Sequence, residues 1–168
     1  MIKQIHRASY TGLIASLVVA LAAILFVSQS PYAFTLRIGQ MTDLEIFRWG
    51  MYIGCAIAVI DLSLALLAIR RRIPRLRQLS QLDEKLKGYA SMVKNLYYGT
   101  LAAVVALSLI IALTGNTRLI MFLLIIVLTL FLAFPNMYKM KVDLGLDDET
   151  MKSLFGDSYI PDNQSSEQ

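Results

Sequence analysis

Charged positions fall along this chain in blocks. No Lys, Arg, Asp or Glu stands between Arg7 and Arg37, and the stretches Arg48 to Arg70, Lys94 to Arg118 and Arg118 to Lys139 hold one charge between them, Asp61. Each stretch contains an apolar run of roughly 15 to 23 residues, which an α-helix rising ~1.5 Å per residue needs to cross a ~30 Å hydrocarbon layer. The pattern predicts an all-α polytopic membrane protein with four transmembrane helices, over about 10–28, 49–70, 95–114 and 118–138. These spans form one transmembrane domain, 1–138, followed by a tail, 139–168.

Punctuation between the runs refines this picture. Thr42 and Glu45 have the spacing of a capping box, which starts the second helix before the membrane proper. Thr114-Gly115-Asn116-Thr117 reads as a tight turn that makes spans three and four antiparallel neighbours. Pro135 lacks the amide that would bond the carbonyl of Phe131, so the fourth helix should kink or end early near its inner face. Tyr10, Tyr97, Tyr98 and Tyr138 at the inner ends, with Tyr32, Trp49 and Tyr52 at the outer ends, read as interfacial belts.

Composition agrees: 57% of residues are hydrophobic and 17% charged, against roughly 25% charged in soluble domains. The excess of basic residues could suggest nucleic acid, but its placement argues for membrane orientation instead. Only Arg37, Arg48 and Arg118 lie on one side of the spans, and all other Lys and Arg lie on the other. That bias places both termini and the connector between spans two and three in the cytoplasm, with a plasma or bacterial inner membrane as the expected location. Lys3 and Arg7 ahead of Leu13 to Val27 also resemble a secretory signal, but Pro31 sits badly for cleavage there, so the first helix is expected to stay.

Helical geometry gives Asp61 a context. Gly50, Gly54, Ala58, Asp61 and Ala65 fall on one face of the second span, where small residues allow close approach of a neighbouring backbone. Gly99, Ala103 and Ala106 supply a similar strip on the third span, and Gly12, Ser16 and Ala20 on the first. The fourth, rich in Leu, Ile and Phe, reads as the outer, lipid-facing member. A bare carboxylate near a helix centre costs ~2.5 to 3.5 kcal/mol on insertion scales, so Asp61 needs a partner. Counting from the inner ends places Thr129 near its level and Thr100 and Ser16 about a turn below. Two roles follow: an interhelical hydrogen bond, worth ~0.6 kcal/mol on average, or a proton or cation site.

The connector, 71–94, opens on a basic cluster of Arg70, Arg71, Arg72, Arg75 and Arg77, which should contact anionic lipid of the inner leaflet. Leu76, Leu79, Leu82 and Leu86 predict an amphipathic cytosolic or interfacial helix from Pro74, interrupted at Gly88. The tail turns acidic and should carry a short helix near 147–155, capped by Asp147 or Asp148 and stopped by Gly156. A solvated tail is the expectation, with folding back onto the connector as the alternative. The end, Pro161 to Gln168, has a disordered composition.

One Cys (Cys55) and one His (His6) leave too few ligands for a typical zinc site, and no phosphate-cradling loop, HExxH or GxSxG motif occurs. No cofactor is implied. Asn163-Gln164-Ser165 matches a glycosylation acceptor on the wrong side of the membrane. An enzyme therefore ranks behind two other readings. The first is a small accessory or scaffold subunit that associates with its own or other transmembrane helices. The second is a transporter or channel component using Asp61.

Overall fold

The computed structural model describes residues 2–29 and 43–159. Six α-helices follow in order: α1 (Ile2–Gln29), α2 (Asp43–Arg77), α3 (Leu82–Thr114), α4 (Leu119–Leu132), α5 (Met137–Leu144) and α6 (Asp148–Phe155), and a 3₁₀ turn closes the tail at Gly156–Ser158. Three of them, α1, α2 and α3, are long and apolar enough to cross a membrane; a fourth candidate exists only if α4 and α5, bent by 79° to one another, count together. The Thr42 cap, the outer loop through Met41 with Tyr32 and Arg37, and the segment from Pro161 lie outside the described residues.

Helix α3 is the central element, with α1 on one side, α2 on another, and α4 touching all three. The largest interface joins α1 to α3, and its cause is legible in side-chain size. Ser9, Gly12, Ser16, Ala20 and Ala23 form the buried stripe of α1, so the α3 backbone comes close. A Cβ on Gly12 would stand 2.8 Å from Cβ of Tyr97. Helix α4 contributes one interlocking stripe, Leu119, Leu123, Ile126 and Leu130, all at most 2% exposed. The expectation that α4 is the outer, lipid-facing member holds for one side only: Leu119, Leu123 and Ile126 fill the upper core beside Val104, Leu107 and Ile111, while Met121, Leu124, Leu128, Phe131 and Leu132 stay exposed. The peripheral helix is α2, with only 17% of its apolar window buried.

The end of α4 shows where the backbone's spare acceptors go. Without an amide on Pro135 the helix closes early, and Phe134 N–H donates instead to the carbonyl of Phe131 at 3.1 Å. The carbonyl of Leu130 is taken by the Tyr97 hydroxyl at 2.9 Å, and that of Leu132 by Lys139 Nζ at 3.1 Å. Tyr97 is fully buried, so it is an interior strut and not the interfacial ring its position suggests. Tyr10, Tyr98 and Tyr138 are each about half exposed. At the other end of α4, Gly115 adopts φ +64° and donates to the carbonyl of Ile111, which closes α3. Buried Asn116 then accepts from Arg118 N–H and reaches the carbonyl of Phe47 at 3.4 Å, tying this turn to the start of α2.

The connector departs from the expected separate helix. Helix α2 runs through Pro74 to Arg77, and α3 begins at Leu82 and passes through Gly88 without a break. The leucine stripe is thus divided across a helical hairpin. Leu76 on one arm meets Gly88 and Leu86 on the other, and Leu79 and Leu82 close the tip. Pro74 is accommodated because a proline near a helix end removes one bond where the chain is about to turn. Gly88 is needed for close approach of Leu76, not for interruption.

Candidate functional site

Asp61 lies half-buried where α2 meets α3 and α4, and the hydroxyl of Thr100 donates to its Oδ1 at 3.3 Å. The small residues of α2 set this approach. A Cβ on Gly50 would stand 2.6 Å from Cγ2 of Thr114, one on Gly54 would stand 2.7 Å from Leu119, and Ala58 and Ala65 are buried between and below them. The face that carries Asp61 is therefore occupied within the chain, by the end of α3 and the start of α4.

Two hollows flank the carboxyl. One, of about 20 Å³, is bounded by Ala65, Leu96, Thr100, Ile126 and Thr129, and it has room for about one water. Thr129 borders it without spending its hydroxyl there, since that group donates to the carbonyl of Ile125 at 2.8 Å. The other is an open groove of about 290 Å³ between α2 and α3, reaching from Asp61 past Ala68 and Gly99 to Asn95 and Arg72. Gly99 faces open space, with nothing within 4 Å of a Cβ built there. Ala103 and Ala106 are half-buried. At the level of Gly99, therefore, α2 does not close on α3.

The residues named from sequence are thus brought together in part. Thr100 touches Asp61, Thr129 borders the same small hollow, and Ser16 lies in the α1 interface, lining neither hollow. Ser16 and Ser108 hydroxyls are buried without a hydrogen-bond partner among the described residues. Arg72 and Asn95 at the groove's inner mouth were not picked out with Asp61. Counting along one helix puts Arg72 about 16 Å away, whereas a groove between two helices lets a long side chain line its far end.

A second cluster lies on the expected cytoplasmic side. Arg77 Nη2 donates to the carbonyl of Val142 at 2.8 Å, Lys85 Nζ to that of Leu144 at 3.3 Å, and the Tyr89 hydroxyl to Asp143 Oδ2 at 3.0 Å. Met140 and Leu144 on α5 and Met151 on α6 are fully buried. The tail is therefore folded onto the α2–α3 hairpin, contrary to the solvated state expected for it. Exposed charges attract weakly, but here buried apolar side chains and capped carbonyls do the holding. Helix α5 begins at Asn136, whose side chain accepts from Lys139 N–H at 2.7 Å, and ends at Gly145 with φ +60°. Asp147 caps α6 by accepting from Thr150 N–H at 3.1 Å, and Gly156 follows its last residue.

Electrostatics differ along this surface. Asp148 pairs with Lys141 at 2.7 Å and accepts from the Tyr159 hydroxyl, and these partners hold its carboxyl below the usual carboxylate range. Asp147 is lowered too, by its bonds from Thr150. Of the five clustered arginines, Arg77 is committed to α5. Arg70, Arg71, Arg72 and Arg75 are exposed, and none of them forms an ion pair among the described residues. The chain matches no protein-family model, no curated protein and no solved structure.

Proposed function

We propose that this chain is a four-span integral membrane protein of a plasma or bacterial inner membrane, with both termini cytoplasmic, acting by association with another transmembrane helix as an accessory or scaffold subunit. The observation that carries this reading is the open groove beside Asp61. Gly99 contributes no side chain to it, Ala65 and Ala68 keep it open, and a half-buried carboxyl paired with Thr100 lines it. Small residues favour backbone approach in lipid, and a polar group beside them offers an incoming helix a hydrogen bond. The exposed arginines Arg70, Arg71, Arg72 and Arg75 would hold the inner end of this surface against anionic headgroups, each contributing about 1 kcal/mol.

Photo-crosslinking in native membranes tests this reading. A crosslinker at Leu64, which lines the groove, should give a discrete protein adduct. One at Leu66, exposed on the opposite side of α2, should give lipid adducts only. Lipid adducts from both positions would refute association through this groove.

A second reading, Asp61 as a proton or cation site, draws support from the groove's continuity to Asn95 and Arg72 at the expected cytoplasmic end. Arg72 there disfavours a cation approaching the carboxyl, so association ranks first. Reconstituted vesicles with an internal pH dye separate the two. A flux abolished by Asp61→Asn supports the ion site, and its absence in wild type removes it.

A further inference from the structure

On the opposite side of α3 from the Asp61 groove, α1 and α3 run side by side in the same direction and leave a hollow of about 740 Å³. Gln4, Arg7 and Thr11 line it from α1, and Ser91, Lys94 and Tyr98 from α3. These are successive turns of two parallel helices, and they put two cations, three hydroxyls and an amide around one space with no carboxylate in its lining. Neither Arg7 nor Lys94 forms an ion pair among the described residues. Tyr97 is buried against the small residues of α1, so the groove runs along the largest interface in the fold.

Depth matters as much as charge. Arg7 and Lys94 stand just outside the proposed inner ends of spans one and three, while Thr11 and Tyr98 stand just inside. Tyr98 and Tyr10 are about half exposed at the same level, where amphipathic rings meet lipid headgroups. A phosphodiester at this height would meet Arg and Lys directly, its glycerol and headgroup hydroxyls would face Thr11, Ser91 and Tyr98, and its acyl chains would continue along exposed Ile14 and Val105. Arginine suits phosphate through paired N–H donors, and lysine through a compact charge.

We propose that the groove between α1 and α3 is a specific site for the phosphate headgroup of one anionic phospholipid of the inner leaflet. This inference rests on the four-span orientation but not on association at Asp61. It is distinct from the diffuse attraction of the arginines at the end of α2, because its two cations come from different helices and line one open groove with three hydroxyls.

The test is native mass spectrometry of the purified full chain offered phosphatidylglycerol or phosphatidylcholine in mild detergent. Wild type should retain one phosphatidylglycerol in preference to phosphatidylcholine. Arg7→Gln and Lys94→Gln should each weaken that retention about fivefold, as expected for removing roughly 1 kcal/mol per cation. Lys94→Arg should restore most of it, and Arg70→Gln/Arg71→Gln should leave the bound lipid in place. A circular dichroism melt and the elution volume verify that each variant is folded. Equal retention of both lipids by folded wild type overturns the proposal, as does loss of selectivity only in the Arg70/Arg71 variant. Displacement of the lipid by millimolar inorganic phosphate would assign the site to a free anion and overturn the lipid assignment.

Discussion

The hydrogen bond between Thr100 and Asp61 is long, at 3.3 Å, and the carboxyl also faces an open groove. Removing the donor therefore leaves an acid with other recourse, and the loss should lie near the membrane average for such bonds. Thr100→Ala is expected to cost about 0.6 kcal/mol in detergent unfolding, with Thr100→Ser close to wild type. A cost above ~3 kcal/mol would mean that the carboxyl has no access to water through the groove. Asp147 and Asp148 lie outside the spans and are stabilised as anions by their hydrogen bonds and, for Asp148, by Lys141. A carboxyl whose folded pKa is depressed contributes stability that is complete above its unfolded value, ~3.9, and is lost as pH falls through the folded one. Protection factors of the amides in residues 148–158 should therefore be high at pH 6 and fall below pH ~4, while those of α3 persist. Unchanged α6 protection factors at pH 3 would show that these carboxylate contacts do not hold that helix.

Two glycines distinguish a packed interface from an open groove. Gly12 abuts Cβ of Tyr97, an atom fixed by its own backbone, so Gly12→Ala must push α1 away from α3 and should lower stability by about 1–3 kcal/mol. Gly99→Ala meets nothing and gains helix propensity, so a neutral to slightly stabilising effect is expected in the same melt. Reversal of that order would mean that another chain covers Gly99 in the sample measured. Elements were legible where period and punctuation agreed: the turn at Gly115, the end of α4 before Pro135 and the cap at Asp147 are all local chemistry. Helix α5 was missed because Met140 and Leu144 give too short a pattern to separate from the apolar run before them. The connector was misread because a leucine stripe at helical spacing looks the same on one helix as on two arms of a hairpin. Which helix occupies the centre is a matter of side-chain fit across the bundle, and α4 was judged lipid-facing on composition alone.

At the scale of the molecule, Tyr97 links the parts: it backs the α1 contact, caps α4 and closes the lower core. The four-span orientation predicts which surfaces reagents reach. With Cys55 replaced by Ala, a cysteine at Lys87 should react with an impermeant maleimide only after the membrane is opened, and one at Thr117 should react in intact cells. The reverse pattern would invert the topology, and with it both the lipid site and the role of the arginines. The site itself was legible to the extent of Asp61 and Thr100. The groove was not, because it exists only between helices whose spacing depends on packing elsewhere.

The docking of α5 and α6 on the α2–α3 hairpin also has a consequence for biogenesis. Residues 137–159 are synthesised after α1 to α4, yet they cover Leu76, Leu86 and Tyr89. A nascent chain still presents that hairpin uncovered until α5 and α6 leave the ribosome and dock. That hairpin therefore distinguishes a chain whose tail has docked from one whose tail has not. Chains stopped after Asn136 should insert normally but turn over faster in a pulse-chase, and supplying 137–159 as a separate peptide should slow their loss.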